Sequence, residues 1–236
     1  MSNSANLGLP FVQAAQAQKH VTVNESLIRL DGLCQLALVS ATTTTPPAVV
    51  LDGACYGVPA GGVNAWAGKD GQVAIGTNGG WDFAVPKSGW RAFIADQGTV
   101  AIHDGVLWRS GQMTMSAKGA GLSLRVVEFD HTVGAGAQSL TGLVIPPDAV
   151  VFGVTGRVIT ALTGTLTAWS LGNSGAVGRF GTGLGLAAES FVRGVPGQPM
   201  TYYSATALQL DATGGAFAGG TVRLAVHFAE LAIPGP

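Results

Sequence analysis

The acidic residues Glu128 and Asp130 have the spacing that comes nearest to a catalytic arrangement. Residues i and i+2 of a strand share one face and lie roughly 6.5 to 7 Å apart, a separation at which two carboxylates can hydrolyse a glycosidic bond. The chain contains 13 Asp and Glu residues, so one such pair is weak support, and no sequence feature identifies a second carboxylate on an opposing strand. We therefore expect no enzyme activity.

Other residue types capable of chemistry also lack a recognisable pattern. The four histidines have no spacing typical of metal ligands, and the two cysteines lie in no signature of a nucleophile. The glycine-rich segment 178–186 matches neither a dinucleotide fingerprint nor a phosphate-binding loop. The sequence predicts no catalytic residue, no metal and no cofactor. We expect Cys34 and Cys55 to be free buried thiols, and whether they pair is left open.

Tryptophans are concentrated in one part of the chain, among polar residues and glycines. Four of the five fall between residues 66 and 108. An exposed aromatic ring beside polar groups can stack on the apolar face of a sugar. We therefore predict a glycan-binding role for the following side chains: Trp66, Trp81, Trp90, Trp108, Tyr202 and Tyr203. The alternative is that the tryptophans form the core of a small domain, with one or two rings exposed. Because adjacent strand residues point to opposite faces, one ring of the tyrosine pair should be exposed if the other is buried.

Helical signals are confined to the beginning of the chain. Pro10 suits the first position of a helix, and segment 11–18 is rich in helix-forming residues. Thr22 and Glu25 have the spacing of a capping box, and Leu27 and Leu30 belong to an apolar pattern of helical period. Four threonines and two prolines at 42–47 then favour an extended linker.

The rest of the chain reads as two β-rich parts. Asp-Gly and Asn-Gly pairs between residues 52 and 105 are hairpin signals, and they separate short strands predicted at 48–51, 72–75, 90–94 and 99–102. Beyond a linker at 111–121 the strands are longer, as in the alternation of Val222, Leu224, Val226 and Phe228 with polar or small residues. The predicted fold class is all-β with a short helical N-terminal segment. It comprises a small Trp-rich β-meander module followed by a jelly-roll-like β-sandwich. The corresponding domains are 1–45, 46–112 and 122–236.

Composition excludes several classes of protein. Charged residues make up 11% of the chain and the net charge is −1, against about 25% charged residues in an ordinary domain. Such a chain has no basic footprint for nucleic acid, and its 47% of apolar residues argues against disorder. The uncharged stretch 158–178 alternates polar and apolar residues, which excludes a membrane-spanning helix. No secretory signal is recognised at residues 1–10. A surface with so few charges favours association with other chains.

Two parts of the sequence resemble a known family. The first is segment 9–25 (LPFVQAAQAQKHVTVNE) followed by Leu30-Asp31, and the second is segment 80–92 (GWDFAVPKSGWRA) followed by 104–108 (DGVLW). Together they resemble a domain of unknown function from alphaproteobacterial prophages and gene transfer agent clusters, over residues 7–110. The sandwich after it looks like that of the head spike proteins of gene transfer agents, which are phage-like particles that carry host DNA between cells.

This resemblance implies a structural protein of a virion-like particle that is assembled in the cytoplasm and released by lysis. Head spikes sit on capsid vertices and contact the capsular polysaccharide of the recipient cell, and the family implies no catalytic residues. We expect a homo-oligomer, either a trimer or a pentamer. Its expected partners are the capsid vertex, other spike or fibre proteins and the polysaccharide, without nucleic acid or membrane insertion. Residues 1–45 are expected to mediate anchoring and oligomerisation through the following side chains: Pro10, Phe11, Gln13, Gln16, Leu27 and Leu30.

Three alternative functions remain open at the level of sequence. The chain could be a tail-fibre or tail-tip subunit, a free lectin-like module, or an enzyme that degrades capsule polysaccharide. The sequence does not decide which module anchors and which faces outward, nor does it identify the glycan.

Overall fold

The computed structural model describes residues 3–13 and 19–234. The chain forms two compact units, Met1–Gly121 together with Ile233–Pro236, and Leu122–Ala232. The predicted fold class, all-β with a short N-terminal helix, is confirmed. The assignment of separate roles to residues 1–45, 46–112 and 122–236 stays a prediction.

In the first unit, residues 3–13 precede helix α1 (Lys19–Leu33). Pro10 does not begin a helix, as its position in the sequence suggested. It forms a β-bridge with Asn3 instead, and the Asn24 side chain bonds both the N–H and the C=O of Val12, which holds the backbone extended. Residues 11–13 are not helical, and residues 14–18 lie outside the described part of the chain. The capping-box prediction was also wrong, because α1 has already begun when the chain reaches Thr22.

The short strands of the first unit form a sheet in the order β4-β3-β2-β1-β5-β6-β7. Their bounds are as follows: β1 Ala37–Leu38, β2 Cys55–Gly57, β3 Val73–Thr77, β4 Gly80–Ala84, β5 Arg91–Ile94, β6 Thr99–His103 and β7 Trp108–Ser110. Strand β8 (Gln112–Met115) is not part of this sheet. Short 3-10 helices lie at Asn64–Trp66 and Ala95–Gln97. The sheet is two meanders, β2–β3–β4 and β5–β6–β7, and the two-residue strand β1 runs parallel to β2 on one side and to β5 on the other.

Local sequence predicted some of these strands and missed others. The Asn78-Gly79 pair forms the predicted tight turn between β3 and β4, with φ of +49° and +74°. The run at 48–51 is not a strand. Val49 and Leu51 are largely exposed, and their apolar character does not reflect a place in the sheet.

The second unit is a sandwich of two sheets. Its strands, in chain order, are as follows: β9 Gly121–Thr132, β10 Gln138–Ile145, β11 Ala149–Gly164, β12 Ala168–Asn173, β13 Ala176–Leu184, β14 Phe191–Gly194, β15 Met200–Tyr202, β16 Thr206–Thr213 and β17 Phe217–Ala232. One sheet has the order β10-β16-β12-β13, and the other contains β14-β11-β17-β9, with β15 beside β11.

Alternating side chains of the two sheets fill the core of this sandwich. Leu171 and Leu210 point inward from one sheet, and Val154, Leu224 and Val226 from the other, all fully buried. The predicted alternation in β17 is confirmed, since its apolar positions are buried while Arg223 between them is exposed.

Cys34 and Cys55, both in the described part of the chain, are free thiols. Cys55 is buried as expected, and burial raises its pKa to about 11. Cys34 is exposed, contrary to the prediction, because it follows the last turn of α1, where Gln35 adopts a left-handed conformation (φ +54°). No helix among the described residues is long and apolar enough to cross a membrane.

Candidate functional site

The aromatic residues of the first unit form a cluster around Trp66. The ring centroid of Trp66 lies 5.3 Å from that of Tyr56 and 5.2 Å from that of Trp81. The Trp66 side chain is 0% exposed. Its ring therefore belongs to the core and has no free face for a sugar, which corrects the glycan-binding role predicted for this residue.

Trp81 is half-buried and faces an open groove of about 400 Å³. One wall of this groove is helix α1, and the other is the β3–β4 hairpin. Its polar lining comes from the following side chains: Glu25, Ser26, Arg29, Asn78 and Asp82. We call this feature the Trp81 groove.

Two charged groups of the Trp81 groove, Arg29 and Asp82, are held in place by local contacts. Glu25 and Arg29 are four residues apart on α1, so they share one face of the helix. The Arg29 guanidinium donates to the backbone C=O of Phe83, and its Nε lies 3.4 Å from Asp82 Oδ2. Asp82 also accepts the Phe83 N–H through Oδ1 (2.9 Å). The side chains of Arg29 and Asp82 are 49% and 39% exposed, so the groove is accessible to a ligand.

A smaller cavity of about 200 Å³ adjoins the Trp81 groove, since the two share Ile28, Thr77 and Asn78 as lining residues. Asn24 and Asp52 add polar groups to this cavity. Asp52 accepts the N–H of Asn78 at 2.7 Å, which fixes the turn between the two spaces.

Asp31 also borders the smaller cavity, but its contacts are internal to the protein. It accepts hydrogen bonds from Ser4 Oγ (2.6 Å), the Leu7 N–H (2.6 Å) and the Asn6 N–H (2.9 Å). Burial raises the pKa of Asp31, but these donors together outweigh it and hold the pKa below its ordinary value of 3.8. Asp31 is therefore an ionised anchor for the N-terminal segment.

The Trp81 groove combines an aromatic face with hydrogen-bond donors and acceptors. Arg29 and Asn78 can donate, while Glu25, Asp82 and Asn78 can accept. Sugars present an apolar C–H face and a rim of hydroxyl groups that both donate and accept, so the groove matches a saccharide in kind. Among the described residues, no group of three His, Cys, Asp or Glu side chains could hold a metal ion.

The other predicted aromatic residues lie outside the Trp81 groove. Trp90 and Trp108 are half-buried, and the Trp108 ring packs edge-on against His103 with a centroid distance of 4.9 Å. Tyr202 is buried and Tyr203 is 83% exposed, which confirms the expectation that only one ring of the pair would be exposed. The buried ring of Tyr202 has no free face for a sugar, which corrects the role predicted for it. A glycan-binding role for Trp90, Trp108 and Tyr203 stays a prediction.

The residues predicted to anchor the chain have different environments. Pro10, Gln13 and Leu30 are exposed, and Leu27 and Phe11 are half-buried. Phe11 lines the smaller cavity. Gln16 lies outside the described residues. Their anchoring role stays a prediction.

Glu128 and Asp130 lie on β9, and Asp130 binds Arg223 through both oxygens, at 2.7 and 2.8 Å. The hydrogen bonds from Arg223 hold the pKa of Asp130 below 3.8, which opposes a role as a general acid.

The sequence pointed to Trp81 but not to its polar neighbours. The spacing of Glu25 and Arg29 on one helix face was a signal that could have been used. The sequence indicates only a turn at Asn78, because nothing local shows that the turn lies beside α1.

Comparison with known proteins finds one family model that matches part of the first unit. The model of a family described as "Protein of unknown function (DUF2793)" matches residues 23–109, so the expected resemblance to a domain of unknown function is confirmed over that range. No curated protein matches the chain. Among solved structures, a chain of the "Cyanophage Pam1 capsid asymmetric unit" is 22% identical, with a TM-score of 0.30 over 50% of this chain and 98% of that one. Similarity at this level supports no statement about function.

Proposed function

We propose that this protein is a structural subunit of a phage-like particle and that it contributes to attachment to a cell-surface polysaccharide through the Trp81 groove. The particle assignment is supported by the resemblance of segments 9–25 and 80–92 to proteins of prophages and gene transfer agents, and we assign the chain to the head spike at the capsid vertex. The observation that carries the attachment role is the half-buried ring of Trp81 in an open, polar-lined groove.

The groove supports binding by stacking and hydrogen bonding together. Trp81 rests edge-on against Trp66 and Tyr56, so its ring is fixed by the core before a ligand arrives. A rigid platform loses little conformational entropy on binding. An aromatic stacking contact contributes about 0.5–1.5 kcal/mol beyond the area it buries, so many weak contacts on one particle would be needed for firm attachment.

The proposal contains no catalytic step. Of the carboxylates of the groove, Glu25 is exposed, and Asp82 is half-buried and paired with Arg29. We further propose that the subunit is a homo-oligomer, a trimer or a pentamer. The support is its low content of charged residues, 11%, which suits a surface covered by neighbouring subunits.

Particles purified from a producing strain provide the test. An antibody against this chain should label the head of the particle, and particles carrying Trp81→Ala should adsorb to capsule-bearing cells about tenfold less well. Trp81→Phe, which keeps an aromatic face, should retain most of the adsorption. Phe93→Ala is the matched control, since it removes an exposed aromatic ring that does not line the groove.

Several outcomes would contradict this proposal. Absence of the chain from purified particles would exclude a structural role, and label at the tail would indicate a tail fibre or tail tip. Normal adsorption of a folded Trp81→Ala particle would exclude the groove. New reducing ends in capsule polysaccharide, abolished by Glu128→Gln, would identify an enzyme.

A further inference from the structure

A second groove, of about 360 Å³, lies on the outer face of the β14-β11-β17 part of the second unit. Its lining includes Thr155, Arg157, Phe191, Arg193 and Arg223, and we call it the arginine groove. These side chains point away from the sandwich core, because the alternate positions Val154, Val158, Val192 and Leu224 are buried.

The register of the strands brings four of these side chains into one block. Arg157 on β11 lies directly opposite Phe191 on β14, and Thr155 lies directly opposite Arg193. Directly opposed residues of antiparallel strands have Cβ atoms about 4.5–5.5 Å apart, and diagonal neighbours about 7–8 Å apart. The two guanidinium groups, one aromatic ring and one hydroxyl group therefore share a patch the size of a single sugar ring.

Like charges also meet across the neighbouring strand pair. Arg157 lies directly opposite Arg223 on β17, an arrangement that is destabilising by itself. Each of these arginines is bound by a carboxylate, Arg157 Nη1 by Glu189 (2.6 Å) and Arg223 by Asp130. Such exposed ion pairs contribute little to stability. Their effect here is to orient the two guanidinium groups.

Arg193 has no such carboxylate. Its side chain is exposed, and no hydrogen bond or ion pair of the Arg193 guanidinium is found within residues 3–13 and 19–234. Arg157 uses only one terminal nitrogen on Glu189, so its remaining N–H groups are free as well. The β14 end of the arginine groove therefore presents two sets of unused guanidinium donors near an aromatic ring.

These groups fit one kind of ligand. Guanidinium groups bind carboxylates in a planar, two-pronged geometry, and Phe191, 67% exposed, offers an apolar face. The hydroxyl of Thr155 is held by His227 Nε2 at 2.9 Å. We propose that the arginine groove binds a sugar bearing a carboxylate, with the carboxylate between Arg157 and Arg193 and the ring against Phe191.

Glu128 lines the opposite end of the groove, beyond Arg223. This carboxylate repels an anionic group at its own end of the groove and so places the carboxylate of the ligand at the β14 end. The arginine groove lies wholly within the second unit, so this proposal does not depend on the Trp81 groove.

Calorimetric titration of the full-length protein with trigalacturonate tests the proposal, and the neutral galactose trisaccharide of the same linkage is the comparison ligand. We expect trigalacturonate to bind at least tenfold more tightly than the neutral sugar, with an affinity that falls as salt is added. Arg193→Gln should weaken binding about tenfold or more, since it removes a charge-assisted contact. The affinity of Arg193→Lys for trigalacturonate should lie between those of the wild type and Arg193→Gln. Phe191→Ala should also weaken binding.

Arg193 is exposed and unpaired, so these substitutions leave the fold intact, which a melting curve verifies. Arg91→Gln, which removes an exposed arginine of the first unit, is the matched control and should bind normally.

Three results would overturn the proposal: equal binding of the neutral trisaccharide, unchanged binding by Arg193→Gln, or equally tight binding of hexaglutamate with the same dependence on Arg193. The last result would identify an acidic peptide as the ligand.

Discussion

His103 lies on β6 with its ring buried against that of Trp108. Its Nδ1 accepts the Gly105 N–H at 3.1 Å, which places the proton on Nε2, an atom without a hydrogen-bond partner in the described part of the chain. Burial lowers the pKa of His103, and Asp104 only partly opposes this shift. Burial also lowers the pKa of His131, whose Nε2 pairs with Ser139 Oγ at 2.8 Å.

These two histidines make the stability of the fold dependent on pH. When folding lowers the pKa of a histidine, the free energy of unfolding is highest above the pKa of the unfolded chain, 6.5, where the ring is neutral in both states. The stability is lost as pH falls from that value through the folded pKa, because the unfolded chain binds the proton first. The melting temperature should therefore fall between pH 7.5 and pH 5.5.

His103→Gln should flatten part of this decrease, and the double variant with His131→Gln should flatten more of it. A wild-type melting temperature that stays constant or rises over this range would contradict the assignment of both rings as neutral.

Helix α1 depends on a contact that is distant in sequence. Asp31, near its C-terminal end, accepts hydrogen bonds from Ser4, Asn6 and Leu7, and the side chain of Asn6 also donates to the C=O of Gly53 at 3.1 Å. Segment 3–13 is therefore hydrogen-bonded to the same helix that forms one wall of the Trp81 groove.

Asp31→Asn should destabilise the first unit by about 2–3 kcal/mol in urea unfolding, because the amide keeps one acceptor oxygen and adds donors where three donors already point. Ser4→Ala, which removes one of the three hydrogen bonds, should cost about 1 kcal/mol. Asp96→Asn, at an exposed acid, is the control and should change the free energy of unfolding by less than about 0.5 kcal/mol. Equal changes in the free energy of unfolding for Asp31→Asn and Asp96→Asn would contradict a stabilising role for these hydrogen bonds.

Elements with a long regular pattern were predictable, and short ones were not. The alternation from Val222 to Phe228 indicated a strand with one buried face, and β17 has that face. Strand β1 has two residues, Ala37 and Leu38, too few to produce a period. Trp66 has polar and small neighbours in sequence, yet the core of the first unit surrounds it, because burial here depends on Tyr56 and Trp81 rather than on adjacent residues.

At the scale of the whole molecule, the main feature is a surface with few charges and many apolar side chains. The net charge is −1 and the isoelectric point is about 6.4. Leu140 and Leu143 are exposed on β10, which lies at the edge of its sheet. An edge strand without charged residues is open to pairing with another chain.

The free protein should therefore self-associate most strongly near pH 6.4 and less at pH 8.5, where its net charge is larger. Dynamic light scattering at low salt measures the size at each pH. Leu143→Glu, which places a charge on the exposed edge strand, should reduce the association. A size that is the same at both pH values and in this variant would contradict the expectation.

The central position of β1 has a consequence for how the protein is made. Leu38 pairs with Cys55 on one side and with Ile94 on the other, so the middle strand of the sheet leaves the ribosome before either neighbour. The nascent chain can close the first pairing early, but the sheet stays divided until Ile94 has emerged. Contacts so distant in sequence slow folding. While roughly the first hundred residues are being translated the sheet is incomplete, and this is the interval in which a chaperone would act on the chain.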